Sequence, residues 1–287
     1  MDYSIFEGSK YEGDTMLPVL DYFEKKYIHS KLIVVADAGL LSNKNIELLT
    51  NRHYEFILGA RIKNETDTIK EQILKLPLVD GNSHLIEKEN KHKLVISYSI
   101  SRAKNDTHNR KQGITKLEKA LNSGKLSKMH INHKGYNKYL KLEGEVSISI
   151  DYEKYRDDAK WDGLKGYLSN TNLPKEEVIN QYKQLWNIEK TFRISRSDLP
   201  IRPIYHHLKW RIESHICISF VACKIYKELE RQLHIKNCSL SAEKVIDILK
   251  IIYQLTITPP YSTTKHTRLL IKNEEQQRII NLFDLKI

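Results

Sequence analysis

Glycine and proline are scarce, at 11 and 7 of 287 residues. That excludes a linker-rich, low-complexity chain. Cysteine is scarcer still, with only Cys217, Cys223 and Cys238. Their odd number and the absence of CxxC spacing exclude a disulfide framework and argue against a zinc site. They read as small buried residues in a reducing compartment, so a cytoplasmic location is expected. No apolar run approaches the roughly 18 residues of a membrane span. Even Ile216 to Cys223 stops far short of it. The opening Met1-Asp2-Tyr3-Ser4 lacks a basic stretch followed by an apolar one, so no secretory leader is expected.

Negative charge is also in deficit. Forty-seven Lys and Arg face 36 Asp and Glu, for a formal net charge of +11. The surplus is unevenly placed. Residues 1–60 hold 6 basic and 9 acidic side chains, net −3. Residues 61–172 hold 22 and 15, net +7, and the remainder holds 19 and 12, again net +7. Residues 91–140 carry 12 basic side chains and only two acidic ones, Asp106 and Glu118. A solvated lysine-rich surface accounts for scattered charge. The density here, with His92, His108, His130 and His133 interleaved, points toward a phosphate backbone. The basic region lacks an opposing Trp and Phe face, which argues against a membrane surface.

What is present has an α/β rhythm. Residues 3–7 read as a short strand and Asp14 to Tyr27 as an amphipathic helix. Leu32 to Ala36 is a continuous apolar strand of the kind buried in a parallel sheet. Ser42 or Asn43 caps a helix running to about Thr50, and Tyr54 to Ala60 is another strand. Residues 61–172 then read as a β-rich insertion. It has strands at Lys93–Ile100, Lys138–Leu142 and Val146–Ile150, and a basic helix at Thr107–Leu121. After Pro174, long helices are expected at Lys175–Arg196, Tyr205–Leu233 and Ser241–Leu255. The expected organisation is a core part at 1–60, the insertion at 61–172, core helices at 173–235 and a helical tail at 236–287.

Two carboxylates invite chemistry. Asp37 directly follows the apolar strand, and in open α/β sheets sites lie beyond the strands' carboxyl ends. An Asp that merely closes a turn fits equally well. Glu189 lies at seven-residue spacing from Tyr182 and from Arg196. In an unbroken helix seven steps return to within roughly 20° of the start, so the three would form one stripe. An ordinary solvated Glu fits that spacing too. Trp161 allows either packing or stacking on a displaced base. Trp186 and Trp210 read as core, and His206, His207 and His215 as packing or capping residues.

Several segments together resemble the bacterial insertion-sequence DDE transposases with a β-rich insertion before the glutamate. They are Phe6-Glu7-Gly8, Leu17-Pro18-Val19, Val34-Val35-Ala36-Asp37-Ala38-Gly39-Leu40, Leu58-Gly59-Ala60-Arg61, Asp162-Gly163 and Leu168-Ser169-Asn170. The group's helix motif, Tyr-x2-Arg-x3-Glu-x6-Lys, appears here as Tyr182-x2-Leu185-x3-Glu189-x6-Arg196. Leu185 departs from it, and Arg196 replaces Lys. Arg202-Pro203-Ile204-Tyr205-His206-His207 and Arg211-Ile212-Glu213-Ser214-His215 extend the resemblance to about residues 3–232.

The resemblance implies an RNase H-like fold, a mixed sheet flanked by helices. It implies DNA transposition by phosphoryl transfer, with Asp37 as second and Glu189 as third catalytic carboxylate. Both would ligate Mg²⁺ or Mn²⁺ in a two-metal site. Tyr182, Arg193, Arg196 and Arg61 would contact DNA at transposon ends and target. The family's first Asp precedes the strand leading to Phe-Glu-Gly, and neither Asp2 nor Asp14 takes that role. The chain is therefore expected to be N-terminally truncated, to lack the sheet's first strands, and to be catalytically defective alone. A non-catalytic DNA-binding fragment that occupies transposon ends or inhibits intact enzyme is the alternative, and another RNase H-like nuclease is a second. A homodimer, or a mixed dimer with intact enzyme, and a nucleoid-associated place in the cytoplasm belong to the same expectation.

Overall fold

The computed structural model describes residues 2–27, 32–88, 92–132, 135–143, 147–190, 203–261 and 263–284. The chain divides into two bodies. One spans residues 6–187; the other spans 188–287 together with 1–5.

In the first body a 3₁₀ turn, Glu12–Thr15, leads into α1 (Met16–Lys26). β1 (Ile33–Ala36) and β2 (Glu55–Ala60) run parallel, with Val34 opposite Phe56 and Ala36 opposite Leu58. Parallel strands need a crossover, and α2 (Asn43–Asn51) supplies it. Its start is fixed where the sequence places it: Ser42 Oγ accepts from the Asn45 amide at 3.2 Å. Then follow α3 (Asp67–Leu74), β3 (Ser83–Glu87), β4 (Lys93–Tyr98) and α4 (Ile100–Asn122). A small antiparallel pair, β5 (Leu140–Glu143) and β6 (Ser147–Ile150), precedes α5 (Tyr152–Asp158). β7 (Leu164–Ser169) and α6 (Lys175–Lys183) complete the body.

The main sheet has the order β1-β2-β7-β4-β3. It is mixed: β1 and β2 are parallel, and each pairing from β2 to β7, β4 and β3 is antiparallel. The 61–172 segment thus supplies three of the five strands. Side chains alternate between its faces, because successive residues of a strand point oppositely. Phe56, Leu58 and Leu168 pack with Met16, Leu20 and Leu49 from α1 and α2. Leu94 and Ile96 pack with Ile73 of α3. Ile57, Val95 and Tyr167 meet Val178, Ile179 and Tyr182 of α6 on the opposite face. β2 is buried on both sides, which is why its sequence is apolar without alternation.

A further cluster joins α4 to the small hairpin through Ile114, Leu117, Tyr139, Leu140 and Ile150. Asp158 anchors its edge. It accepts from Lys138 Nζ and the Tyr139 hydroxyl, both at 2.5 Å, and from Lys63 Nζ. Burial alone would raise its pKa, but these donors outweigh burial and hold it well below the usual carboxylate range. Its stabilising contribution is complete above the unfolded aspartate value of about 3.9 and fades as pH falls below that. Asp158→Asn is therefore expected to flatten the acid limb of a stability–pH profile, read by urea unfolding. An unchanged acid limb would show that Asp158 does not carry it.

Several expectations are corrected. Residues 3–7 form no strand; a strand's amides need a partner ladder, and among the described residues none is beside them. Tyr3 instead packs on Phe220, with ring centroids 4.4 Å apart. The helix expected at 175–196 breaks at Gln184, where i→i−3 bonds (Gln184 N to Gln181 O, 3.1 Å; Asn187 N to Gln184 O, 3.0 Å) replace the regular ladder. Helix resumes at Leu185 and continues to Lys190, where the described stretch ends. Tyr182 and Glu189 lie on either side of this break, in different bodies. Trp186 and Trp210 are 56% and 60% exposed rather than core.

The second body packs the helices α7 (Lys209–Ile235), α8 (Ala242–Lys250) and α9 (Glu274–Leu282) around Tyr226, Leu233, Val245, Ile248 and Ile279. The helix expected to reach Leu255 stops at Lys250. Tyr253–Ile257 pairs with His266–Leu270 as a hairpin instead, as β-branched and aromatic residues favour. No described helix is long and apolar enough to cross a membrane.

Candidate active site and nucleic-acid interface

Sheet polarity decides which residues meet. β1, β2 and β4 point one way and β7 the other. Asp37 follows β1, Arg61 follows β2, Lys165 opens β7, and Arg102 lies in the first turn of α4, just after β4. All four are therefore delivered to the same end of the sheet.

Asp37 is exposed, and its Oδ1 accepts from the Gly39 amide at 2.8 Å. Oδ2 has no hydrogen-bond partner among the described residues. Arg61 reaches across the loop and donates to the Ala38 carbonyl at 2.8 Å, which leaves further guanidinium donors unused. Tyr182 comes from α6 and is buried against the sheet. Its hydroxyl approaches Gly59 so closely that a Cβ there would lie 2.5 Å from it, and 2.9 Å from the Ala38 amide nitrogen. Only glycine at position 59 leaves this room. Burial first, and then the Asp37 charge, push the Tyr182 hydroxyl's pKa up. Asp37, Arg61 and Tyr182 are thus brought together.

Two further cations join them. Lys165 Nζ lies over the Tyr182 ring, 4.3 Å from its centroid, and 5.5 Å from that of Tyr167. The two rings meet edge to face at 4.8 Å. Burial, then the nearby Arg102, push the Lys165 pKa down. Lys165 was not singled out by the sequence; two residues before Tyr167 on β7, it shares the face that α6 covers.

Glu189 is exposed and belongs to the second body, on the helical stretch after Gln184. Its neighbour Lys190 pairs with Glu230 at 3.2 Å. Arg193 and Arg196 lie outside the described residues. Among the described residues, no group of three or more His, Cys, Asp or Glu side chains gathers to hold a metal. Asp37 by itself fits a hard divalent cation in donor chemistry, as an exposed carboxylate with one oxygen unengaged.

The basic region resolves into a surface. α4 has 23 residues, about 34 Å at 1.5 Å per residue. Arg102, Lys104, His108, Lys111, Lys116 and Lys119 are exposed along it. Its two acids are engaged elsewhere: Asp106 accepts the Gly163 amide at 3.1 Å, and Glu118 the Tyr152 hydroxyl at 2.7 Å. The helix's inner side holds Arg110, which grips Asp162 through both guanidinium arms; the Nη2–Oδ2 contact is 2.6 Å. Thr107 adds a bond to the same Asp162 oxygen at 2.7 Å. Asp162 of the Asp162-Gly163 segment is therefore the anchor of the basic helix. Beside it a cavity of about 620 Å³ is lined by Arg102, Arg110, Lys138, Asp158, Trp161 and Asp162. Trp161 is half-buried there and packs against the cluster around Ile62.

The family model for the transposase DDE domain matches residues 1–225. Neither a curated protein nor a solved structure matches the chain.

Proposed function

Because the chain belongs to the transposase DDE-domain family, we propose that it works on DNA by phosphoryl transfer at transposon ends, with Asp37 and Glu189 as its catalytic carboxylates. DNA transposition is the function of that family, whose members use divalent metal and bind transposon ends. One observation carries the assignment to this chain's residues. Asp37 presents an unengaged carboxylate oxygen at the end of the edge strand β1, with Arg61 and Tyr182 fixed around it. The five-stranded mixed sheet between helices supports an RNase H-like reading of the fold.

Mg²⁺ or Mn²⁺, when bound, would activate the attacking oxygen and stabilise the leaving 3′-oxygen. Asp37 and Glu189 are the residues proposed to hold it, through hard carboxylate oxygen. The chain's own part is positioning. The Gly39 amide orients Asp37, Arg61 ties down the loop at Ala38, and the guanidinium donors it has left face phosphate. Arg193 and Arg196 complete the proposed DNA contacts.

Asp37→Ala and Glu189→Ala are expected to abolish Mg²⁺-dependent cleavage and strand transfer while leaving DNA affinity unchanged. Retained cleavage in either variant would remove that residue from the mechanism. The α4 surface favours a second reading, in which the chain occupies transposon ends without cutting them, alone or in a mixed dimer with intact enzyme. Robust strand transfer by the purified 287-residue chain would overturn it.

A further inference from the structure

Lys165 and Arg102 come to the same end of the sheet as Asp37 and Arg61, and neither makes an ion pair with a carboxylate among the described residues. Resting on the DNA-processing reading above, we propose that Lys165 and Arg102, with Arg61 beside them, form a seat for one phosphodiester of DNA next to Asp37.

Lys165 differs in kind from the lysines of α4. Those are exposed and carry their own water. Lys165 is half-buried, with its ammonium over the Tyr182 and Tyr167 rings. A charge taken from water is costly unless it is paired. The two ring faces compensate in part, since their quadrupoles attract a cation. Arg102 then adds a second positive charge close by, which burial makes worse rather than better. Neither Lys165 nor Arg102 forms an ion pair among the described residues. The protein therefore assembles two like charges at the cost of repulsion and pairs neither of them with a carboxylate among the described residues.

A phosphodiester answers both charges at once. Its two free oxygens accept from an ammonium and a guanidinium together, in charge-assisted bonds. Arg61 is held at the carbonyl of Ala38, the residue after Asp37. A phosphate there would be fixed within reach of Asp37. The aromatic floor sets the height of the ammonium, so the seat is built by packing and not by a flexible surface chain. Such a contact would set the register of DNA on the protein and read no sequence.

The test uses the purified chain and a fluorescein-labelled DNA duplex without divalent metal. Acetylation of lysines, read by mass spectrometry, is expected to be several-fold slower at Lys165 when duplex is bound. Lys165→Met keeps the aliphatic stem and removes the charge. It is expected to lower the slope of log K against log salt by about 0.9, and affinity about eightfold at 0.1 M salt. Lys165→Arg is expected to restore both. Equal acetylation of Lys165 with and without duplex overturns the proposal, as does an unchanged slope in a folded Lys165→Met. Inorganic phosphate alone giving the same protection as duplex also overturns it, in favour of a small-anion site. If Lys165→Met fails to fold, protection of the unaltered chain decides. Neither readout requires cutting. Protection of Lys165 without any strand transfer would keep the seat and sink the transposase reading. Strand transfer with Lys165 unprotected would do the reverse.

Discussion

Replacing Asp162 by alanine is expected to cost the first body about 3–5 kcal/mol of stability, among the largest effects of any single substitution in it. The pair it breaks is deep. The side chains of Arg110 and Asp162 are 9% and 14% exposed. Both guanidinium arms bond the carboxylate, and Thr107 adds a third donor. The Arg110 Nε has no hydrogen-bond partner among the described residues even with Asp162 in place. Without Asp162 the guanidinium would be stranded, largely buried and without its anion. It would be left with the face of Tyr155, whose ring centroid is 5.5 Å away. For a body of this size the loss corresponds to a Tm lower by about 6–20 °C. The size of the loss measures the stranded charge and not the net worth of the pair. An Arg110→Met, Asp162→Leu double substitution is accordingly expected to recover most of the stability. Urea unfolding of the two variants checks both statements. A single variant as stable as the parent, or a double variant no better than the single one, would contradict this account.

Neutralising α4 is expected to have the largest effect on DNA binding. Lys104, Lys111, Lys116 and Lys119 are exposed, make no ion pair among the described residues, and share one helix with no free acid to offset them. Changing all four to Gln keeps helix propensity nearly constant, so the helix should remain. Every lysine–phosphate pairing removed lowers the salt slope by about 0.9, and at 0.1 M salt that is about eightfold in affinity. The four together are expected to lower the slope by up to about 3.6, with affinity falling by up to three orders of magnitude or slightly more. The loss should be uniform across DNA sequences, because backbone contacts carry no base information. Fluorescence anisotropy across a salt series measures it. A slope unchanged by the four substitutions would remove α4 from the DNA interface and leave its charge as solvated surface.

How much of this was legible in the sequence depended on burial. β1, β2 and β4 send apolar side chains to both faces of the sheet, so their apolar runs show without any partner being known. The Ser42 cap showed because its chemistry is local, an oxygen three residues from the amide it accepts. β3 and β7 were not legible as strands. β3 is an edge strand with alternate residues in water, and β7 carries Lys165 and Gly166 where an apolar run would be expected. The break at Gln184 was invisible as well, since nothing in Tyr182-Lys183-Gln184-Leu185 forbids a helix; only tertiary context ends it. Of the site, Asp37 was marked by its position after an apolar strand, Tyr182 by its seven-residue spacing from Glu189 and by resemblance, and Arg61 by resemblance alone. Lys165 was missed because its role exists only once α6 lays Tyr182 beneath it.

The place of β7 in the sheet bears on how this protein is made. β2 ends at Ala60 and β4 at Tyr98, yet the strand between them begins only at Leu164. Until that segment has emerged from the ribosome, both neighbours present unpaired ladders, and the sheet has a gap in its middle. The longest-range pairing is also the one that joins the two halves, so sheet closure is late and slow. During that interval two strands rich in Phe, Ile, Leu and Val stand open to other chains. The nascent protein is most exposed to mispairing while α4 and the small hairpin are being synthesised. The residues from Arg102 to Lys138 made in that interval are dense in lysine and arginine, and their like charges hold apart chains whose sheets are still unfinished.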